Sequence, residues 1–117
     1  MTPPDTPLTS PGQRTLPAPA LAQLRWLVAA LRTEEDAASA TPRAEFALRL
    51  EQALIGAPSD VPERLATMLG RGDAELLVLL ARNHEAHSYD APAPEERTAH
   101  RGRARRYREI AQLLGLL

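Results

Sequence analysis

The sequence predicts an all-α protein, a small bundle of about five helices behind a disordered or extended Pro-rich N-terminal arm. Three observations carry this. Apolar residues beyond position 19 recur at three- and four-residue steps. Pro42, Pro62, Pro92 and Pro94 stand where the first turn of a helix tolerates a missing N–H. The one run that could be a buried strand, Leu76 to Ala81, has no second strand candidate to pair with.

The domain reading follows from composition. Residues 1–19 hold six of the eleven prolines and few large apolar residues. Such a segment cannot repay the entropy of ordering itself, so it is expected to be a flexible arm. Residues 20–117 are expected to form one helical domain, large enough to fold without disulfide or metal staples.

The first expected helix runs from about Pro19 to Asp36, with Leu21, Leu24, Leu27, Val28 and Leu31 as its stripe. Trp26 lies beside that stripe, while Arg25 and Arg32 face away. A second spans about Pro42 to Ile55 on Phe46, Leu50 and Leu54, and Gly56 stops it. Trp26 and Phe46 read as core. Asp60 and Glu63 have capping-box spacing for a short third helix with Leu65, Met68 and Leu69. Asp73 is expected to cap the fourth helix. Its six consecutive apolar residues, Leu76 to Ala81, leave no polar face, so burial on all sides is expected near the centre of the bundle. The fifth runs from about Glu95 to the C-terminus, and Gly102 could kink or delay it.

Composition excludes several chemistries. With no cysteine there is no disulfide, thiolate metal site or cysteine nucleophile. No apolar run approaches the ~20 residues of a membrane span, and the first residues lack the basic and apolar regions of a secretory signal. The expected location is cytoplasmic. Lysine is absent among 14 basic residues, all arginine, as GC-rich coding would produce.

The near-neutral total hides an asymmetry. Residues 1–96 carry eight arginines against 14 acids, a balance of −6, whereas residues 97–117 carry six arginines and Glu109, a balance of +5. At 100° per residue Arg97, Arg101, Arg105 and Arg108 fall within about an 80° arc. This ridge is a candidate polyanion footprint. Alternatively it pairs with acids of the same chain, such as Glu34, Glu35 and Asp36 or Glu95 and Glu96. Arg103 and Arg106 fall on the apolar side and must snorkel if that half packs.

Two segments resemble parts of helix-turn-helix domains. From Pro62 to Leu77, the residues Leu65, Ala66, Leu69 and Gly70 match the first helix and turn of a DNA-binding helix-turn-helix, and Leu76 and Leu79 the buried positions of the second. Its reading positions would be Asp73, Ala74, Glu75, Leu77, Val78 and Leu80, which lack donors for base edges and cations for phosphates. From Arg106 to Leu116 the chain is similar to the first helix and turn in sigma-factor and response-regulator DNA-binding domains. A recognition helix would have to start where the sequence ends.

His84 and His87, three apart on one helical face, could chelate an ion with Asp90 or His100 as a third ligand. The run H-E-A-H is not the zincin spacing, and no metal or cofactor is expected. Glu34, Glu35 and Asp36 have no aligned acids at Glu45 and Glu51 to complete a hydrolase site. No catalytic triad or Gly-rich phosphate loop is legible. Leu113, Leu114, Leu116 and Leu117 have the spacing of a groove-docking helix and are candidate partner contacts.

The expected function is a small non-catalytic helical interaction module, an adaptor or regulatory protein that binds protein or itself. The runner-up is a nucleic-acid-associated protein using the arginine ridge, and the third a small metal-dependent enzyme at His84 and His87.

Overall fold

The computed structural model describes residues 16–115, of which five segments are α-helical and none is a strand. The all-α class is therefore what the chain adopts. All of the arm but its last four residues, together with Leu116 and Leu117, lies outside the described residues. Contacts divide the chain into two compact units, one ending at Leu69 and the other beginning at Gly70.

In the first unit α1 is Ala18–Thr33, α2 Ala40–Leu54 and α3 Val61–Met68, with short 3₁₀ turns at Ala37–Ser39 and Pro58–Asp60. The α1 stripe buries Leu24, Leu27, Ala30 and Leu31, while Arg25 and Arg32 face solvent. From α2 come Phe46, Ala47, Leu50 and Ala53, and from α3 Val61 and Leu65. Full burial of each large apolar side chain contributes about 1.5–3 kcal/mol. Trp26 and Leu54 are half-buried at the margin of this core.

The α1–α2 connection is held by a buried cation. Arg43 is 6 % exposed. Its guanidinium donates to the Leu31 carbonyl at 2.8 Å, the Asp36 carbonyl at 2.7 Å and Ser39 Oγ at 2.8 Å. It thus satisfies an orphan carbonyl at the end of α1 and braces the turn into α2. The Asp36 carboxylate accepts from the Ser39 N–H at 3.1 Å and caps the 3₁₀ turn between them. Gly56 ends α2 with φ 101°, a left-handed conformation suited to glycine. Beside it, Arg64 donates to the Ala53 and Ala57 carbonyls.

Two expected caps take other forms. Asp60 makes no side-chain cap to α3, because the 3₁₀ turn leading into that helix already places its backbone near helical geometry. The fourth helix begins two residues before Asp73, so Asp73 lies inside its first turn. There its carboxylate accepts from the Gly70 N–H at 2.9 Å.

The second unit is a helical hairpin of α4, Arg71–Asp90, and α5, Pro94–Gly115. Leu77, Leu80, Ala81 and Ser88 of α4 are buried, as are Ala104, Tyr107, Ile110 and Ala111 of α5. Gly102 is helical within α5. Burial of the Leu76 to Ala81 run on all sides is not what the structure has. Leu79 is 47 % exposed and Val78 half-buried. A helix turns its side chains through 100° per residue, so only every third or fourth member of an apolar run faces the same neighbour.

Replacing Arg43 by Met leaves three acceptors without their donor. The variant should lose about 3 kcal/mol of unfolding free energy, and urea denaturation of wild type and Arg43→Met measures it.

Candidate functional site

The chemistry-bearing side chains of the sequence collect on the α4–α5 hairpin. Its three-residue connection turns the chain back, so residues late in α4 face those early in α5.

The arginine ridge divides into two kinds. Arg97 donates through Nη1 to the Ala91 carbonyl at 3.0 Å and the Pro92 carbonyl at 3.3 Å, fastening the connection after α4. Arg108 forms a bidentate pair with Glu85, at 2.9 and 2.7 Å. The partner of that arginine is on α4, 23 residues away, rather than among Glu34, Glu35 and Asp36 or Glu95 and Glu96. Its two side chains are 43 % and 42 % exposed. The Arg108 hydrogen bonds lower the Glu85 pKa from its ordinary 4.5, desolvation opposes this, and the Arg108 and Arg82 charges add to the lowering. The same pairing raises the Arg108 pKa.

Arg101 and Arg105 are exposed and have no partner among the described residues. They flank a shallow groove of about 390 Å³ shared with Glu85, Arg108, Glu109 and Gln112. Arg103, on the opposite side, lies over the Tyr107 ring at 5.8 Å, and its Nε contacts the Tyr107 hydroxyl at 3.3 Å. The guanidinium itself covers the buried aromatic, and the residue as a whole is half-buried.

The three histidines are brought together. His84 and His100 meet through their Nδ1 atoms at 2.8 Å, one ring donating and the other accepting. The His87 ring centre lies 5.6 Å from that of His100 and 6.4 Å from that of His84, and Tyr107 packs 5.9 Å from His84. Asp90, the exposed last residue of α4, has no hydrogen bond or ion pair among the described residues. Among those residues no group of three or more His, Asp or Glu is arranged to hold a metal ion. The facing Nδ1 atoms are engaged with each other.

A larger groove adjoins the one beside Arg101 and Arg105 and shares Arg108 and Gln112 with it. It encloses about 540 Å³ and is lined on α4 by Arg71, Ala74, Glu75, Val78, Leu79 and Arg82, and on α5 by Arg108, Ala111 and Gln112. Its floor is aliphatic and its rim carries charges of both signs. The sequence signal for it was the rim: Arg71, Glu75, Val78 and Arg82 recur at helical spacing and mark a face that is not core. Leu113 and Leu114 are half-buried in the last turns of α5, and their fellow candidates Leu116 and Leu117 lie outside the described residues. The stretch resembling a first helix of sigma-factor type is the C-terminal part of the continuous α5.

Compared with protein-family models, curated proteins and solved structures, the chain matches none. The case for function therefore rests on the hairpin itself.

The Glu85–Arg108 pair predicts a pH signature. A carboxylate whose folded pKa is depressed contributes stability above its unfolded pKa and loses it as pH falls through the folded value. Carboxyl-detected NMR titration of Glu85 should give a midpoint below the ordinary 4.5. The midpoint should rise in Arg108→Gln, and the stability difference between the two proteins should vanish at low pH.

Proposed function

We propose that this chain is a small non-catalytic helical interaction module, an adaptor or regulatory protein, whose binding surface is the outer face of the α4–α5 hairpin. One observation carries the reading. An aliphatic groove lies open beside Leu79, a leucine exposed to 47 % in the middle of the most apolar run of the chain. Apolar floors edged by mixed charge are the anatomy of protein-binding surfaces, where burial supplies affinity and the rim supplies selectivity. A cytoplasmic setting belongs to the same proposal. No helix among the described residues is long and apolar enough to cross a membrane.

The runner-up is nucleic-acid association through α5. It is favoured by Arg101 and Arg105, which project without partners among the described residues. Against it, Arg97 and Arg108 are committed inside the hairpin, so half of the ridge is already occupied. Two phosphate contacts would give a log affinity falling with log salt at a slope of about −2. Fluorescence anisotropy with labelled duplex DNA across a salt series should show that slope, abolished in Arg101→Gln/Arg105→Gln, if this reading holds. The interaction-module reading expects no such binding.

The principal test compares full-length wild type and Leu79→Glu as baits in lysate of cells that express the protein, with circular dichroism confirming that both are helical. A protein retained by wild type and lost from Leu79→Glu is expected. Equal retention by both baits, or by neither, contradicts the proposal.

A further inference from the structure

The outer face of α4 has a charge pattern with a specific symmetry. Arg71, Glu75, Val78, Arg82 and Ala86 follow one another at steps of three and four, forming a stripe on the side away from Leu77, Leu80, Ala81 and Ser88. Val78 and Leu79 lie at its centre. Glu75 and Arg82 lie on either side, each about 5 Å along the helix from the point midway between Val78 and Leu79. Glu75 makes no hydrogen bond or ion pair among the described residues. Among the described residues Arg82 has only a through-space attraction to Glu85. Both are therefore free to meet a partner.

We propose that this face is a homodimer interface: two copies pair their α4 helices antiparallel about a two-fold axis crossing between Val78 and Leu79. That axis sets Glu75 of one copy opposite Arg82 of the other, and the symmetry forms the pair twice. It also sets Leu79 of each copy against Val78 of the other, beside the aliphatic groove formed with Ala74 and Ala111. An isologous interface must be self-complementary under its two-fold, and this stripe meets the condition. A parallel, in-register pairing would instead oppose Glu75 to Glu75 and Arg82 to Arg82, so the charges select the antiparallel arrangement. The choice of a second copy over an unrelated partner rests on this complementarity, which binding to a foreign surface does not require. The inference deepens the preceding proposal and depends on its placement of the binding face.

Charge reversal tests the axis directly, with sedimentation equilibrium of the full chain as the readout. Wild type should be a dimer at micromolar concentration. Glu75→Arg alone and Arg82→Glu alone each place like charges opposite each other twice, and each should weaken the dimer about tenfold or more. The double variant Glu75→Arg/Arg82→Glu should regain wild-type affinity. An equimolar mixture of the two single variants should form a heterodimer, because both positions are basic in one variant and acidic in the other, so every facing pair is again of opposite sign. These exposed positions should leave the circular dichroism spectrum unchanged. A wild-type chain that stays monomeric up to submillimolar concentration overturns the proposal. So does a dimer whose affinity is the same in all four proteins. A monomeric chain that still captures a foreign protein through Leu79 leaves the interaction-module reading standing while the dimer fails. A dimer with the expected charge dependence and no foreign partner supports the dimer and removes the wider reading.

Discussion

An α-helix distributes its side chains around its whole circumference, and a single antiparallel neighbour covers only an arc of it. That constraint governs the hairpin of α4 and α5. Six apolar residues in sequence cannot all face α5, so Leu77, Leu80 and Ala81 are buried while Leu79 emerges on the far side. The rest of the unit follows from the side that is covered. His84 meets His100 and Glu85 meets Arg108 because the antiparallel return brings those stretches together, while Arg103 reaches the Tyr107 ring one turn along the same helix. The side left open is the one proposed to recognise another surface.

The first unit solves a different problem. The end of α1 and the turn after it leave carbonyl groups that must find donors. Arg43 supplies them from α2, with one planar guanidinium reaching two backbone carbonyls and the Ser39 hydroxyl. Arg64 serves the end of α2 in the same manner from α3. In both places an arginine of the next helix closes the one before it, and the apolar stripe around Phe46 and Leu50 can then pack without burying unpaired polar groups. Burial of this cation supports geometry more than net stability, since its desolvation offsets much of what its hydrogen bonds contribute.

Helix positions were legible because they depend on local signals: apolar spacing, prolines in first turns, and glycines at ends. The stripe of Leu24, Leu27 and Leu31 and the four-residue step from Phe46 to Leu50 led to the observed core. Interactions distant in sequence were not legible. Nothing near Arg43 distinguishes it from exposed Arg32, which pairs with Glu51 on the surface. The Glu85–Arg108 pair depends on the register of two helices, a quantity their separate periodicities do not set. The capping role expected of Asp73 differed by the position of the helix start alone, and the carboxylate still serves a backbone N–H. Burial of the Leu76 to Ala81 run was overestimated because composition counts apolar residues without asking how many neighbours exist to cover them.

The central claim is that the outer face of α4 is an interface, closed by a second copy across Val78 and Leu79. The chain has no cysteine, so one introduced thiol is unique and reports its own symmetry mate. The most direct measurement is disulfide trapping of Val78→Cys and Ala86→Cys under mild oxidation, read on a non-reducing gel. In the antiparallel arrangement two copies of position 78 lie beside the axis, while two copies of position 86 stand about 22 Å apart along it. Rapid cross-linking of Val78→Cys with none of Ala86→Cys is the predicted result. Equal cross-linking of the two, or none of either, would contradict it.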